Sequence, residues 1–270
     1  MDKVAIDLNF IQIYWYSIFI FLGIFLASIV IIREAKKQKL NEDFIINLIF
    51  YTVIFGLLGA RLYYVLFNLD YYLSNPIEIL EVWYGGLAIH GGILFGLITI
   101  ILYCRKYQVP PLKLLDIAVL GLILGQAIGR WGNFFNAEAY GGITTLEHLQ
   151  SLKIPEYIIN GMYIDGAYRV PTFLYESVWC LTGFVALSMI RKYRYLKTGE
   201  LSGMYLIWYS LGRFIIEGMR ADSLMLGPIK MAQLVSIILI IVGIFLIFIC
   251  RKQGTQFDNL YKAESKEINF

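Results

Sequence analysis

The sequence predicts an all-α polytopic membrane protein with about seven transmembrane helices, an outside N-terminus, a cytoplasmic C-terminus and a small extracytoplasmic cap. Three observations predict it. Of 270 residues, 59% are hydrophobic and only 16% are charged, where a soluble domain carries roughly a quarter of its residues as charges. The apolar residues fall in uncharged runs of about 20, the length that crosses a bilayer. Short basic clusters separate those runs and recur on one side of the chain's path.

The spans read in order as residues 11–32, 44–67, 87–104, 112–130, 172–190, 201–219 and 231–250. The first is too long for a signal core, and its basic cluster follows it instead of preceding it, so it is expected to remain as an anchor. The second contains Arg61 and the third opens near His90. The fourth ends at Arg130, the fifth opens near Glu176, and the sixth carries Arg213 and Glu217. The seventh is uncharged. Residues 1–252 are read as the membrane domain, with 131–170 as the cap, and 253–270 as a polar cytoplasmic tail. In the cap, residues 144–152 read as a short helix, and Asn160-Gly161 and Asp165-Gly166 read as hairpin turns.

Loop charge sets the orientation. Arg33, Lys36, Lys37 and Lys39 follow the first span; Arg105, Lys106 and Lys113 follow the third; Arg191, Lys192, Arg194 and Lys197 follow the fifth; Arg251, Lys252, Lys262 and Lys266 follow the seventh. The opposite side has only Lys3, Lys153, Arg169, Arg220 and Lys230. Basic loops stay in the cytoplasm. With about 1.5 Å of rise per residue, Tyr16, Arg61, His90, Arg130, Glu176, Arg213 and Glu217 then all fall toward the outer face. Asp116 alone falls near the inner face, three residues after Lys113.

A charge at a helix centre costs roughly 2.5–3.5 kcal/mol on insertion scales, so it usually has a use or a partner. Arg61, Arg130 and Arg213 at one level would make a cationic patch suited to a phosphate, which arginine holds by two parallel hydrogen bonds. Plainer readings stand beside this one. Arg61 reaches the interface by snorkelling; Arg213, Glu217 and Arg220 neutralise one another at i,i+4 and i,i+3 spacing; Tyr16 is an aromatic-belt residue; Glu176 satisfies a helix N-terminus; Gly121, Gly125 and Gly129 serve helix packing. His148 reads as a surface residue. Cys104, Cys180 and Cys250 have neither metal-site nor disulfide spacing. The dispersed basic residues exclude a nucleic-acid partner.

The run Gly129-Arg130-Trp131-Gly132-Asn133-Phe134-Phe135-Asn136-Ala137-Glu138-Ala139-Tyr140-Gly141 resembles the signature of the bacterial prolipoprotein diacylglyceryl transferases. Other blocks agree: Trp15-Tyr16, Gly59-Ala60-Arg61-Leu62, the stretch 85–92 containing His90, the stretch 171–176 ending in Tyr175-Glu176, and Arg213 with Glu217 and Arg220. The resemblance covers nearly everything except the tail. Ser17, Val170 and Ala232 depart from it where Gly, His and Gly are common, and touch packing more than chemistry.

The resemblance implies a membrane transferase that moves the diacylglyceryl group of phosphatidylglycerol onto the lipobox cysteine thiol of a secreted prolipoprotein signal peptide. A thioether forms and glycerol phosphate leaves. It implies a bacterial plasma-membrane location with the active site toward the extracytoplasmic side, and neither cofactor nor metal. By residue, Arg130 is expected to grip the lipid phosphate, with Asn133, Glu138 and Gly141 shaping its loop. Arg213, oriented by Glu217, supplies a second charge; Arg61 and Tyr16 line the substrate site; His90 is the candidate base for the thiol. The competing classes fit less well. A retinal protein requires a lysine in the seventh span, and residues 231–250 contain none. A secondary transporter requires related halves and midplane polar residues. A different phospholipid transferase would share the cationic patch but not the signature.

Overall fold

A computed structural model describes residues 3–7, 12–82, 85–252 and 261. It is mostly helical, and the described residues divide into two compact units, one formed by those up to 31 and from 115 onward, the other by those from 32 to 114.

The first unit opens with a hairpin of β1 (Val4–Asp7) and β2 (Gln12–Tyr14). The hairpin runs directly into α1 (Trp15–Lys37). The sequence pattern assigns residues 11–14 to the first span; residues 12–14 are strand instead, and residue 11 lies outside the described residues.

The second unit is built on α2 (Glu42–Phe67) and, further along the chain, α4 (Ile89–Tyr107). Asn41 caps α2, its side-chain oxygen accepting from the Phe44 amide at 3.2 Å, a bond that satisfies one of the orphan donors of a helix start. Between them lie α3 (Leu69–Ser74) and a 3₁₀ turn (Pro76–Leu80), in a stretch to which the sequence pattern assigns no element. The two long helices cross closely. A Cβ on Gly91 would sit 2.2 Å from the Gly59 carbonyl oxygen, and one on Gly59 would strike Phe95.

In the first unit the chain continues through α5 (Pro111–Asn136). This helix runs six residues past the expected end at Arg130, so Trp131 to Asn136 lie on helix and not in the cap loop. Gly121 and Gly125 face α1, with Ala27 O 2.7 Å and Gly23 O 3.4 Å from where their Cβ atoms would stand. The packing role expected for these glycines is what the geometry shows at both.

The cap holds β3 (Ile143–Thr144), α6 (Leu146–Ser151), α7 (Glu156–Gly161), β4 (Tyr163–Ile164) and β5 (Ala167–Arg169), the strands in the order β3-β5-β4. Asp165-Gly166 forms the expected β4–β5 turn, with φ of 53° and 78°, the paired positive φ of a type I′ hairpin. Asn160-Gly161 instead closes α7. There Ile158 and Ile159 are buried with Phe134, Leu149, Ile154, Met162 and Phe173 in the cap's own core, and that burial outweighs the turn propensity of Asn-Gly.

Next come α8 (Thr172–Ile190), α9 (Glu200–Met219), a hairpin of β6 (Met225–Leu226) and β7 (Ile229–Lys230), and α10 (Met231–Lys252). Helices α8 and α9 are locked by stacked indoles, Trp179 and Trp208, with ring centroids 4.7 Å apart. Each indole N–H donates to the other residue's carbonyl, at 2.9 and 3.0 Å. Gly212 and Gly183 make room for the rings: a Cβ on either would fall 2.2–2.3 Å from the facing indole. Asp116, expected beside Lys113, reaches from α5 to the start of α9, accepting from the amides of Gly199 and Ser202 and from the Ser202 hydroxyl. It thereby caps a helix whose own N-cap, Gly199, offers no side chain.

Among the described residues, six helices are long and apolar enough to cross a membrane: α1, α2, α4, α5, α8 and α10. In α10 the best window has a mean hydropathy of 3.0 yet is only 17% buried. An apolar surface exposed to that degree is covered by lipid, not water. The expected sixth span, α9, has the length but carries Arg213 and Glu217.

Candidate active site

The chemistry gathers where α5 ends, α8 begins and α9 ends. Glu176, one turn into α8, is 5% exposed, and its Oε1 is shared by two arginines. Arg130 Nη2 from α5 and Arg213 Nη1 from α9 each approach that one oxygen at 3.1 Å. Arg213 also pairs through Nη2 with Glu217 at 2.7 Å, which is the orientation expected of that i,i+4 pair. Glu217 is 2% exposed and lies 3.9 Å from Arg220 Nε. Arg220 in turn grips Asp222 by two bonds, Nε to Oδ1 at 3.0 Å and Nη2 to Oδ2 at 3.1 Å. The result is a file of alternating sign: Arg130, Glu176, Arg213, Glu217, Arg220, Asp222. Alternation is what makes it tolerable, because removing one partner of a buried pair leaves an uncompensated charge costing about 3–5 kcal/mol.

Arg130 also turns toward the signature loop. Its Nη1 donates to Asn133 Oδ1 at 3.4 Å, and Asn133 Nδ2 donates to Glu138 Oε1 at 2.8 Å. With 21% of its side chain exposed and five N–H donors, Arg130 retains capacity for an incoming anion. Glu138 stands between two alanines in left-handed conformation, Ala137 (φ 51°) and Ala139 (φ 58°). Gly141 is where the loop meets other elements. Its amide donates to Val170 O at 2.9 Å, and an added Cβ would lie 2.7 Å from Val170 Cβ and 3.0 Å from Met219 O. Glycine is required there by close approach. Tyr16, in the first turn of α1, packs its ring on Gly132, whose Cβ would be 2.9 Å from Tyr16 Cδ2.

The structure therefore brings Arg130, Asn133, Glu138, Gly141, Arg213, Glu217 and Tyr16 into one unit. Two expected residues belong to the other unit. His90 is the second residue of α4, exposed, with its ring 6.1 Å from that of Tyr63. Arg61 differs from both earlier readings. It neither snorkels nor presents an open guanidinium: it is 7% exposed and donates to four backbone carbonyls, Glu78, Ile79, Gly85 and Gly86, with Tyr72 under its plane at 5.2 Å. Nearly all its donors are spent on the carbonyls of Glu78, Ile79, Gly85 and Gly86.

Sequence reasoning underrated Glu176 and passed over Asp222. The signal for Glu176 was its position, a carboxylate early in an apolar span, yet its two partners are 46 and 37 residues away in the chain. Among the described residues no His, Cys, Asp or Glu cluster is placed to hold a metal. The three cysteines are free and buried.

A multi-pass helical membrane protein with a paired arginine–carboxylate file at its helix ends is the class this fold and site define. Residues 3–249 match the family described as prolipoprotein diacylglyceryl transferase. Three relatives bear the same name, phosphatidylglycerol–prolipoprotein diacylglyceryl transferase. The Staphylococcus carnosus protein is 49% identical over 248 residues, 92% of this chain and 90% of the relative. That of Staphylococcus saprophyticus is 47% identical over 252 residues, covering 93% and 90%. That of Bacillus cereus is 47% identical over 261 residues, covering 97% and 96%. The chain belongs to the prolipoprotein diacylglyceryl transferase family.

Proposed function

We propose that this protein transfers the diacylglyceryl group of phosphatidylglycerol to the lipobox cysteine of prolipoproteins, the first step of bacterial lipoprotein maturation. The observation that carries the reading, beside family membership, is the single Glu176 oxygen shared by Arg130 and Arg213. An oxygen acceptor held between two guanidinium groups is the arrangement by which arginines take a phosphodiester.

In the reaction the cysteine sulfur attacks the diacylglycerol carbon that bears the phosphate ester. The S–C bond forms, the C–O bond breaks, and its electron pair leaves on glycerol phosphate. The leaving phosphate gains charge, and donors fixed in a water-poor site stabilise that charge without reorganising. Arg130 and Arg213 fill this role, Arg213 held by Glu217. The thiol has an ordinary pKa near 8.5, so it requires a proton acceptor, and His90 is assigned that part. Asn133, Glu138 and Gly141 shape the Arg130 loop, and Tyr16 lines its flank. The site faces the extracytoplasmic side of the plasma membrane, with α9 as the sixth of seven spans, the N-terminus outside, the C-terminus cytoplasmic and the cap over the outer face.

The test uses the purified protein with phosphatidylglycerol and a lipobox peptide. The cysteine peptide is expected to acquire the lipid and its serine counterpart to remain unmodified; an unmodified cysteine peptide would overturn the reading. His90→Gln is expected to lower the rate of transfer sharply, and an unchanged rate would remove His90 as the base.

A further inference from the structure

The signature loop stands in a conformation its residues do not favour by themselves. A non-glycine residue in the left-handed region brings its Cβ too close to the carbonyl oxygen, and the loop contains two, Ala137 and Ala139, on either side of Glu138. It is held by ties to its surroundings. The Thr172 hydroxyl donates to Ala139 O. The Ala221 amide donates to Tyr140 O at 3.2 Å, and the Gly142 amide to Met219 O at 3.0 Å. Gly141 and Arg220 form an antiparallel bridge. Residues 140–142 are thus paired, strand-fashion, with 219–221 just beyond α9.

Asp222 sits at the end of that pairing. It takes both Arg220 donors and lies beside the Ala139 amide. Through Arg220 it meets Glu217, and through Glu217 it meets Arg213. Through the loop it meets Glu138, then Asn133, then Arg130. The file of charges consequently closes on itself, with Asp222 as the joint between its two ends.

We propose that Asp222 is a positioning residue for the lipid phosphate, fixing the distance between the Arg130 loop and Arg213. It touches no substrate; it acts by keeping the two arms of the phosphate cradle in register. The proposal rests on the transferase reading above.

The experiment is steady-state transfer kinetics on the full-length protein in phosphatidylglycerol-containing vesicles, with Asp222→Asn, Asp222→Glu and, as a control on the same exposed loop, Leu224→Ala. Asp222→Asn is expected to raise the KM for phosphatidylglycerol about tenfold with kcat changed little, since loss of register weakens binding common to ground and transition states. Asp222→Glu, which keeps the charge, is expected to recover most of that loss, and Leu224→Ala to match wild type. Combining Asp222→Asn with Arg220→Gln is expected to cost no more than Arg220→Gln alone, because the two residues form one link. An unchanged KM in Asp222→Asn, or an equal loss in Asp222→Asn and Asp222→Glu, would overturn the proposal. If Asp222→Asn fails to fold, wild-type KM in Arg220→Gln would overturn it in its place. Wild-type protein that transfers no lipid would remove the transferase reading instead, so the two failures are distinguishable.

Discussion

Arg61 and Arg130 are both arginines on apolar helices, and the two units treat them in opposite ways. Arg61 is surrounded by four carbonyls of its own unit, neutral acceptors that absorb its donors and leave its charge to Tyr72 and the protein's dipoles. Arg130 is met by a carboxylate that it shares with Arg213, and it keeps part of its surface open. A guanidinium saturated by backbone builds a turn; one balanced by a shared, exchangeable anion can trade that anion for another. Residue type is the same in both. Partner type separates structure from chemistry.

The sharpest way to break that contrast is to remove each arginine in turn. Arg130→Ala is expected to lower kcat/KM for transfer by about 10²–10³-fold, the usual loss for one charge-stabilising donor, while far-UV circular dichroism shows the helices intact, since Glu176 keeps its bond to Arg213. Near-normal turnover would dissolve the distinction. Arg61→Ala is expected to do the reverse. Each buried carbonyl left without its donor costs about 1–3 kcal/mol, so the yield of folded protein and its Tm should fall, while correctly folded molecules retain their kcat. A folded Arg61→Ala protein with wild-type Tm and no turnover would return Arg61 to the phosphate site.

A smaller effect sharpens how the Arg213 side is held. Gly212→Ala pushes a methyl into the Trp179 ring, and overpacking of this kind costs about 1–3 kcal/mol. Reduced thermal stability with a raised KM is expected, and no change in either would mean that the α8–α9 contact does not govern the site.

The smallest effect concerns acid. Burial pushes Asp222 upward, but the Arg220 hydrogen bonds and charge pull it further down, below the usual carboxylate range. Glu217 faces the same Arg220, and Lys230 donates to the Arg220 carbonyl. A carboxyl depressed on folding contributes stability that is complete above its unfolded pKa of about 3.9 and is lost only as pH falls through the lower folded value. Hydrogen exchange in residues 137–142 is therefore expected to stay protected at pH 4 and to quicken below it. Loosening between pH 5 and 6 would contradict the tether.

Much of this was legible in the sequence where the cause is local. The fifth span, residues 172–190, matches α8 end for end, because an apolar run broken only by Glu176, between Pro171 and Arg191, has few alternatives. The Asp165-Gly166 turn was readable because both residues accept positive φ. What escaped the reading depends on partners distant in the chain. Asn160-Gly161 became helix because Ile158 and Ile159 found the cap core. Residues 69–80 alternate apolar and polar without a clear period, so α3 and its 3₁₀ turn did not stand out. The arginines were visible as candidates, but a carbonyl acceptor has no letter in the sequence, and so Arg61 could not be told from Arg130. Glu176 and Asp222 acquire their parts only when α5, α8 and α9 meet.

The reciprocal indole pair of α8 and α9 also has an optical consequence. Two tryptophan rings 4.7 Å apart at 21° are near enough for their excited states to mix, which produces a paired positive and negative band in the ultraviolet dichroism spectrum. The helix bearing Glu176 and the helix bearing Arg213 thus carry a built-in gauge of their alignment, readable without a label while lipid is titrated into the protein.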